Sequence, residues 1–188
     1  MAIEIAQTRR RFTRKDYHRM AEVGILGPKD RVELIRGEIV EMSPIGTRHM
    51  GGLDNLNMLL VPPLVGRAIV RVQGSIVLGD DTEPEPDMAV LRLRPAPYRE
   101  VDATAEDVLL LVEAAESSLA YDRSTKLGLY AEAGIVEYWI VDVVGRTVEV
   151  HRDPRDGVYA DVGRLTGDAT VSPRAFPDVS LSLAQIFA

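Results

Sequence analysis

The chain contains no cysteine among its 188 residues. That excludes disulfides, thiolate zinc sites and a cysteine nucleophile, and it removes any argument for an oxidising compartment. Histidine is scarce, with three residues, none of them paired at zinc-binding spacing. No G-x-S-x-G, phosphate loop or dinucleotide fingerprint occurs. Zinc-hydrolase, serine-hydrolase and nucleotide-dependent chemistries are therefore poor readings. No apolar run approaches the roughly 20 residues of a membrane span. The opening MAIEIAQTRRRF lacks the apolar centre of a signal peptide, so the expected location is the cytoplasm. Positive charge is in deficit, with 22 Lys and Arg against 29 Asp and Glu and a net charge of −7. This argues against a protein that blankets nucleic acid. It leaves room for a carboxylate cluster whose charge a bound cation offsets.

What is present is an ordinary globular composition, 46% hydrophobic and 27% charged, at a length that suits one domain with a sizeable core. Residues 1–12 read as a flexible N-terminal segment and 13–188 as a single domain. Helical spacing over 13–23 follows a capping threonine, Thr13. Residues 31–42 alternate about Arg36-Gly37 and read as a hairpin. Residues 49–60 place Leu53, Leu56, Leu59 and Leu60 on one face, and Pro62-Pro63 should end or kink that helix. Strands are expected over 68–78, 86–91, 108–113, 137–142, 147–151 and 159–165, with a helix over 121–133 and a short one at 183–187. Runs 108–113 and 137–142 flank helix 121–133 as a crossover unit. The expected architecture is α/β, a mixed sheet flanked by helices.

Two carboxylates stand at strand ends, where open α/β sheets place chemistry. Asp87 opens one apolar strand and Glu113 closes another. Convergent carboxylates with no histidine beside them suit a hard cation, Mg²⁺ or Mn²⁺. Lys126 is spaced four residues from both Asp122 and Tyr130, so a helix presents all three on one face. Spacing alone also allows solvated strand ends and a surface ion pair worth a few tenths of a kcal/mol. Trp139 and Tyr138 read as core, Glu137 as facing solvent or a partner, and His18 and His151 as surface residues.

The ordered motifs Glu33-Leu34-Ile35-Arg36-Gly37-Glu38, Ser43-Pro44 with His49, Pro86-Asp87, Glu113 through Ser118, Tyr121-Asp122 through Lys126, and Tyr130 through Asp142 carry a resemblance. The chain resembles the Uma-type family of restriction endonucleases, within the PD-(D/E)XK nuclease superfamily. The resemblance implies a restriction-endonuclease-like fold and metal-dependent hydrolysis of DNA phosphodiester bonds. It implies Asp87 and Glu113 as metal ligands and Glu33 as a further acidic catalytic residue. The superfamily's lysine should follow Glu113 by two residues, where this chain has Ala115; the resemblance shifts that role to Lys126, supported by Asp122 and Tyr130. His49 is a candidate phosphate contact. Arg92 and Arg94, with Arg99, form a basic group just after Asp87 and are the expected DNA contacts; Arg9, Arg10, Arg11, Arg14 and Lys15 form another basic cluster. A homodimer is expected on general grounds. The competing expectation is a catalytically silent nuclease-fold protein that binds or assembles.

Overall fold

Thr13 opens the first helix. Its hydroxyl accepts the Asp16 N–H and the Asp16 carboxylate accepts the Thr13 N–H at 3.0 Å, a capping box at the start of α1 (Arg14–Glu22). The hairpin follows, with β1 (Val32–Ile35) and β2 (Glu38–Glu41) antiparallel and Ile35 opposite Glu38. Its two turn residues, Arg36 and Gly37, have φ of 49° and 76°. Positive φ at both turn positions matches the twist of the flanking strands. A Cβ on Gly37 would also lie 2.5 Å from the Arg11 Cβ, so glycine serves for space as well as for conformation. Leu34 and Glu83 exchange backbone hydrogen bonds, and the Glu83 carboxylate accepts from Arg14 at 2.7 Å and meets His18 at 2.9 Å. The computed structural model describes residues 9–96 and 98–188; residues 1–8 of the segment expected to be flexible lie outside them. The described residues up to Met42, with Leu78–Pro84, form one compact unit, and Ser43–Val77 with Glu85–Ala188 form a second.

The second unit starts with α2 (Thr47–Leu64), followed by β3 (Ala68–Val72), β4 (Met88–Arg92) and β5 (Val108–Ala115). A helical stretch then runs through α3 (Leu119–Tyr121), a π turn (Asp122–Lys126) and α4 (Leu127–Glu132). After it come β6 (Glu137–Asp142), β7 (Thr147–Arg155), β8 (Val158–Leu165), β9 (Thr170–Val171), β10 (Leu181–Ser182) and α5 (Leu183–Ile186). Strands β3 to β8 form one six-stranded sheet in chain order. Every neighbouring pair is antiparallel except β5 and β6, which are parallel. Parallel neighbours need a crossover, and α3–α4 supplies it. The mixed sheet flanked by helices is thus the fold, as the patterning predicts.

The two faces of the sheet differ. Met88, Val90, Leu110, Val112, Trp139, Val141, Val148 and Val150 pack with Leu53, Leu56, Leu60 and Leu64 of α2 and with Phe176, Leu183 and Ile186 in one apolar cluster. On β5 the alternate residues Leu111 and Glu113 point to the other face. Strand β6 is buried at all six positions, as befits a central strand with both faces covered.

Several expectations change. Helix α2 begins at Thr47 and continues through Pro62 and Pro63 to Leu64. The prolines fall in the last turn, where the lost backbone bonds are few, and buried Leu60 and Leu64 hold the turn to the core. Strand β3 stops at Val72, where Gln73 takes a positive φ of 47°. Glu137 faces neither solvent nor a partner surface but is wholly buried. It accepts from Trp139 Nε1 at 2.9 Å, Arg152 Nε at 2.8 Å and the Arg174 N–H at 2.6 Å. His151 is buried too, because β8 covers β7 and sets Tyr159 5.8 Å from the imidazole. Burial lowers the His151 pKa, with Glu149 working in the opposite direction.

Gly37→Ala should destabilise the protein by about 1–3 kcal/mol, since it combines left-handed strain with a clash. Urea denaturation checks this, and unchanged stability would contradict the account of the hairpin turn.

Candidate active site

The register of β4 and β5 places the first two carboxylates. Met88 pairs with Val112, so one further step sets Asp87 opposite Glu113. The Asp87 N–H donates to Glu113 Oε2 at 3.3 Å, and the Ala114 N–H donates to Asp87 Oδ2 at 2.9 Å. On the opposite side the Gln73 N–H donates to the Asp87 carbonyl at 3.0 Å. Asp87 is therefore held between two strands and aimed at β5.

Like charges opposite one another in a ladder repel, and this pair is buried, with Asp87 6% and Glu113 4% exposed. The crossover helix supplies the compensation. Lys126 Nζ and Tyr130 Oη both donate to Glu113 Oε1, each at 2.9 Å. Spacing of four residues puts lysine and tyrosine on one helix face, and here both converge on a single oxygen. Tyr130 thus supports Glu113 directly, a stronger role than bracing the lysine. Burial drives the Glu113 carboxyl pKa well above the usual carboxylate range; Lys126 pulls it down, while the charges of Asp87 and Asp122 push it further up.

The π turn shapes this convergence. The Leu127 N–H bonds to the Asp122 carbonyl, five residues back, and the Tyr138 hydroxyl donates to the same carbonyl at 3.4 Å. Tyr138 also stands edge-on to Tyr130, with ring centres 4.9 Å apart. Buried Asp122 accepts from the Ser118 hydroxyl at 2.6 Å. Single π turns inside α-helices are frequent at functional sites.

His49 approaches from α2, its Nε2 3.0 Å from Asp87 Oδ1. Its backbone N–H donates to Glu116 Oε2 at 3.2 Å. The helix-capping position is Gly46, which has no side chain to offer. A Cβ there would lie 2.1 Å from the same Glu116 oxygen, so the glycine admits a carboxylate that caps the helix from another part of the chain. Sequence reasoning assigned Glu116 no role; its partner is 67 residues away, and local spacing carries no trace of that meeting.

The remaining expected residues lie elsewhere. Arg92 and Arg94 follow Asp87 closely in sequence, but β4 carries them to its other end, roughly 17 Å of strand away. The Arg94 guanidinium is engaged by Asp107 Oδ2 at 2.9 Å and by the carbonyls of Ala96, Val101 and Asp102, and it stacks 3.9 Å from the Tyr98 ring centre. It clamps its own loop, so the basic rim expected there does not border the carboxylates. Glu33 is buried on β1 and belongs to the hairpin unit.

The donor set bears on the expected metal. No group of three or more His, Asp or Glu side chains able to hold an ion occurs among the described residues. An all-protein cage is absent there. Two facing carboxylates fit a small hard cation instead, because magnesium commonly uses one or two carboxylates and completes its shell with water and substrate phosphate.

A family described as "Putative restriction endonuclease", Uma2, matches residues 14–184. The chain belongs to the Uma2 family. Its structure is similar to that of a "putative nuclease belonging to DUF820" from Anabaena variabilis ATCC 29413, at 18% identity and a TM-score of 0.69 over 94% of this chain and 97% of that one. That likeness establishes that the two chains share a fold. The type IIG restriction endonuclease BpuSI also matches, at 17% identity over 64% of this chain and 14% of its own, with a TM-score of 0.40, too low to carry an argument. No curated protein matches. Among the described residues no helix is long and apolar enough to cross a membrane.

Lys126→Met should destabilise this Uma2 chain by about 3–5 kcal/mol, because it strands a buried carboxylate without its counter-charge. Adding Glu113→Gln should recover part of that loss. The Glu113 pKa is raised in the folded state, so the folded protein binds this proton more tightly than the unfolded chain. Stability lost in Lys126→Met should therefore return as pH falls through the raised value. Urea midpoints of the three proteins across pH measure this; equal, pH-independent losses would refute the coupling.

Proposed function

We propose that this Uma2 chain is a divalent-cation-dependent endonuclease that hydrolyses phosphodiester bonds of DNA. The observation that carries the reading is the meeting of Lys126 with Glu113 opposite Asp87. Had the crossover helix turned Lys126 outward, the displaced lysine could not stand in for the one missing at Ala115. Asp87 and Glu113 would hold Mg²⁺ or Mn²⁺, which supplies Lewis acidity at the phosphoryl group and stabilises a hydroxide-like nucleophile. Lys126 opposes the rise that burial gives the Glu113 pKa and places positive charge where a pentavalent phosphoryl group gathers negative charge. Tyr130 fixes the Glu113 rotamer, and Asp122 takes part as the acidic start of the same turn. His49 orients Asp87 from the α2 side and offers its ring to a bound phosphate. Glu33 enters through the family resemblance alone. Cutting both strands would call for two such sites, which a homodimer provides.

A second reading has one observation in its favour. Both oxygens of Glu113, and Oδ2 of Asp87, already accept hydrogen bonds within the chain. A carboxylate pair satisfied in this way can persist as a structural device in a nuclease fold that binds and does not cut.

Titration with Mg²⁺ and Mn²⁺ against supercoiled, linear duplex and single-stranded DNA separates the two. Cation-dependent nicking is expected, with losses of at least about a hundredfold in Asp87→Asn and Glu113→Gln, the scale typical of removing an electrostatic catalytic group. If either variant cuts like the wild type, the assignment fails.

A further inference from the structure

A cavity of about 270 Å³, lined by neither Asp87 nor Glu113, has no role in the chemistry above. Its walls come from three places: Arg48, Gly51 and Asn55 on α2, Val143 and Arg146 in the turn between β6 and β7, and the C-terminal residues 186–188. Its neighbourhood is fixed by bonds to the site. Arg48 immediately precedes His49, whose imidazole meets Asp87 at 3.0 Å. The Val143 N–H donates to the carbonyl of Ala115, two residues beyond Glu113, at 3.1 Å.

The cavity is built. Gly52 lets α2 approach the β6–β7 turn, because a Cβ there would lie 2.7 Å from Val143 Cγ1. Gly51 has nothing within 4 Å of its would-be Cβ, so the wall beside Arg48 is open. The Asn55 amide donates to the carbonyl of Ile186 at 3.2 Å and to a carboxylate oxygen of Ala188 at 3.3 Å, tying the third wall to the helix. The Arg146 guanidinium lies 5.6 Å from the centre of the Phe187 ring, which holds it toward the cavity.

Among the described residues, Arg48 and Arg146 share the lack of an ion pair with Arg71, Arg92, Arg155 and Arg164 of this unit, and they are the two arginines that line the cavity. In the same unit Arg67, Arg94, Arg123, Arg152 and Arg174 each meet a carboxylate. Arg48 and Arg146 are exposed and form no ion pair among the described residues. In a chain with a net charge of −7, two guanidinia against the one carboxylate of Ala188 leave the lining of this cavity net positive. The volume is small beside the ~300–1,000 Å³ of a drug-sized ligand pocket; it suits a phosphate with its sugar.

We infer that Arg48 and Arg146 form a backbone subsite that binds a phosphate of the nucleic-acid strand flanking the one held at Asp87 and Glu113. The inference rests on the nuclease reading and supplies the basic contact that Arg92 and Arg94, at the far end of β4, do not. Guanidinium groups suit the task because they bind phosphate through two parallel hydrogen bonds.

The test is the binding of a fluorescent DNA duplex to the full chain in EDTA, where cleavage is silent, followed by anisotropy across a salt series. Arg48→Glu/Arg146→Glu should weaken binding about tenfold or more near 0.1 M salt. It should also flatten the slope of log K against log salt by about two, one for each arginine that no longer neutralises a phosphate. Arg48→Ala/Arg146→Ala should flatten the slope similarly with a smaller fall in affinity. Arg155→Glu, an exposed change of the same sign at the end of β7, serves as control and should stay near wild type; circular dichroism verifies folding of each variant. The subsite is overturned if the double reversal binds no worse than the Arg155→Glu protein, or if the wild type binds no DNA. The nuclease reading fails separately: DNA binding that depends on Arg48 and Arg146, with no cleavage in Mg²⁺ or Mn²⁺, leaves the subsite standing and removes the hydrolysis.

Discussion

Burying a carboxylate inside a sheet is the constraint on which the second unit turns. Glu113 sits in the middle of the six-stranded sheet's β4–β5–β6 segment with another carboxylate facing it, and the cost of desolvating such a charge is several kcal/mol. The chain meets that cost with one cation and one hydroxyl from a single helix face, both delivered to the same oxygen. The crossover helix therefore docks by polar contacts as well as by apolar burial. The parallel pairing of β5 with β6 follows from the same segment, since the helix that neutralises Glu113 also returns the chain to lie alongside it.

Much of this was legible in residue order. The alternation about Arg36-Gly37, the leucine spacing of α2, and the apolar runs of β5 and β6 separated by a helix-length segment each specify their element through local periodicity. Lys126 and Tyr130 share a helix face by arithmetic, and Asp87 and Glu113 stand where strands begin or end. What could not be read is where non-adjacent elements cross. Arg94 looked like a free cation beside Asp87 because sequence distance was standing in for spatial distance, and an extended strand is the conformation in which that substitution fails most. Glu137 looked exposed because a carboxylate in a strand usually is, yet Arg152 and the Arg174 backbone come from β7 and beyond to satisfy it. Pro62 and Pro63 looked like a stop because proline penalises a helix interior, and the penalty shrinks in a final turn that the core holds down.

Glycine pairs illustrate the same lesson from the other direction. Gly51-Gly52 weakens the local case for a helix, since glycine is a poor helix former. Its cause is tertiary: Gly52 permits close passage of the β6–β7 turn, and Gly46 makes room for the Glu116 carboxylate. Both sites sit within the first two turns of α2, the part of that helix that carries His49 to Asp87. Local propensity is given up where the packing around His49 and Asp87 needs close approach.

The closed hydrogen-bond network around Glu113 bears on how such a site could work. A buried ion pair is weak evidence for stability, because apolar replacements of similar volume are often neutral or better. Retaining two facing carboxylates, a lysine and a tyrosine in one desolvated cluster therefore calls for a reason other than folding, and perturbed, clustered ionisable groups occur at functional sites more than elsewhere. The network also limits what binding can cost. A divalent cation held by Asp87 and Glu113 would relieve their mutual repulsion, and Lys126 and Tyr130 on Oε1 leave Oε2 with the single longer 3.3 Å contact from the Asp87 backbone. The longest bond of the cluster is thus the one on Oε2, from the Asp87 backbone.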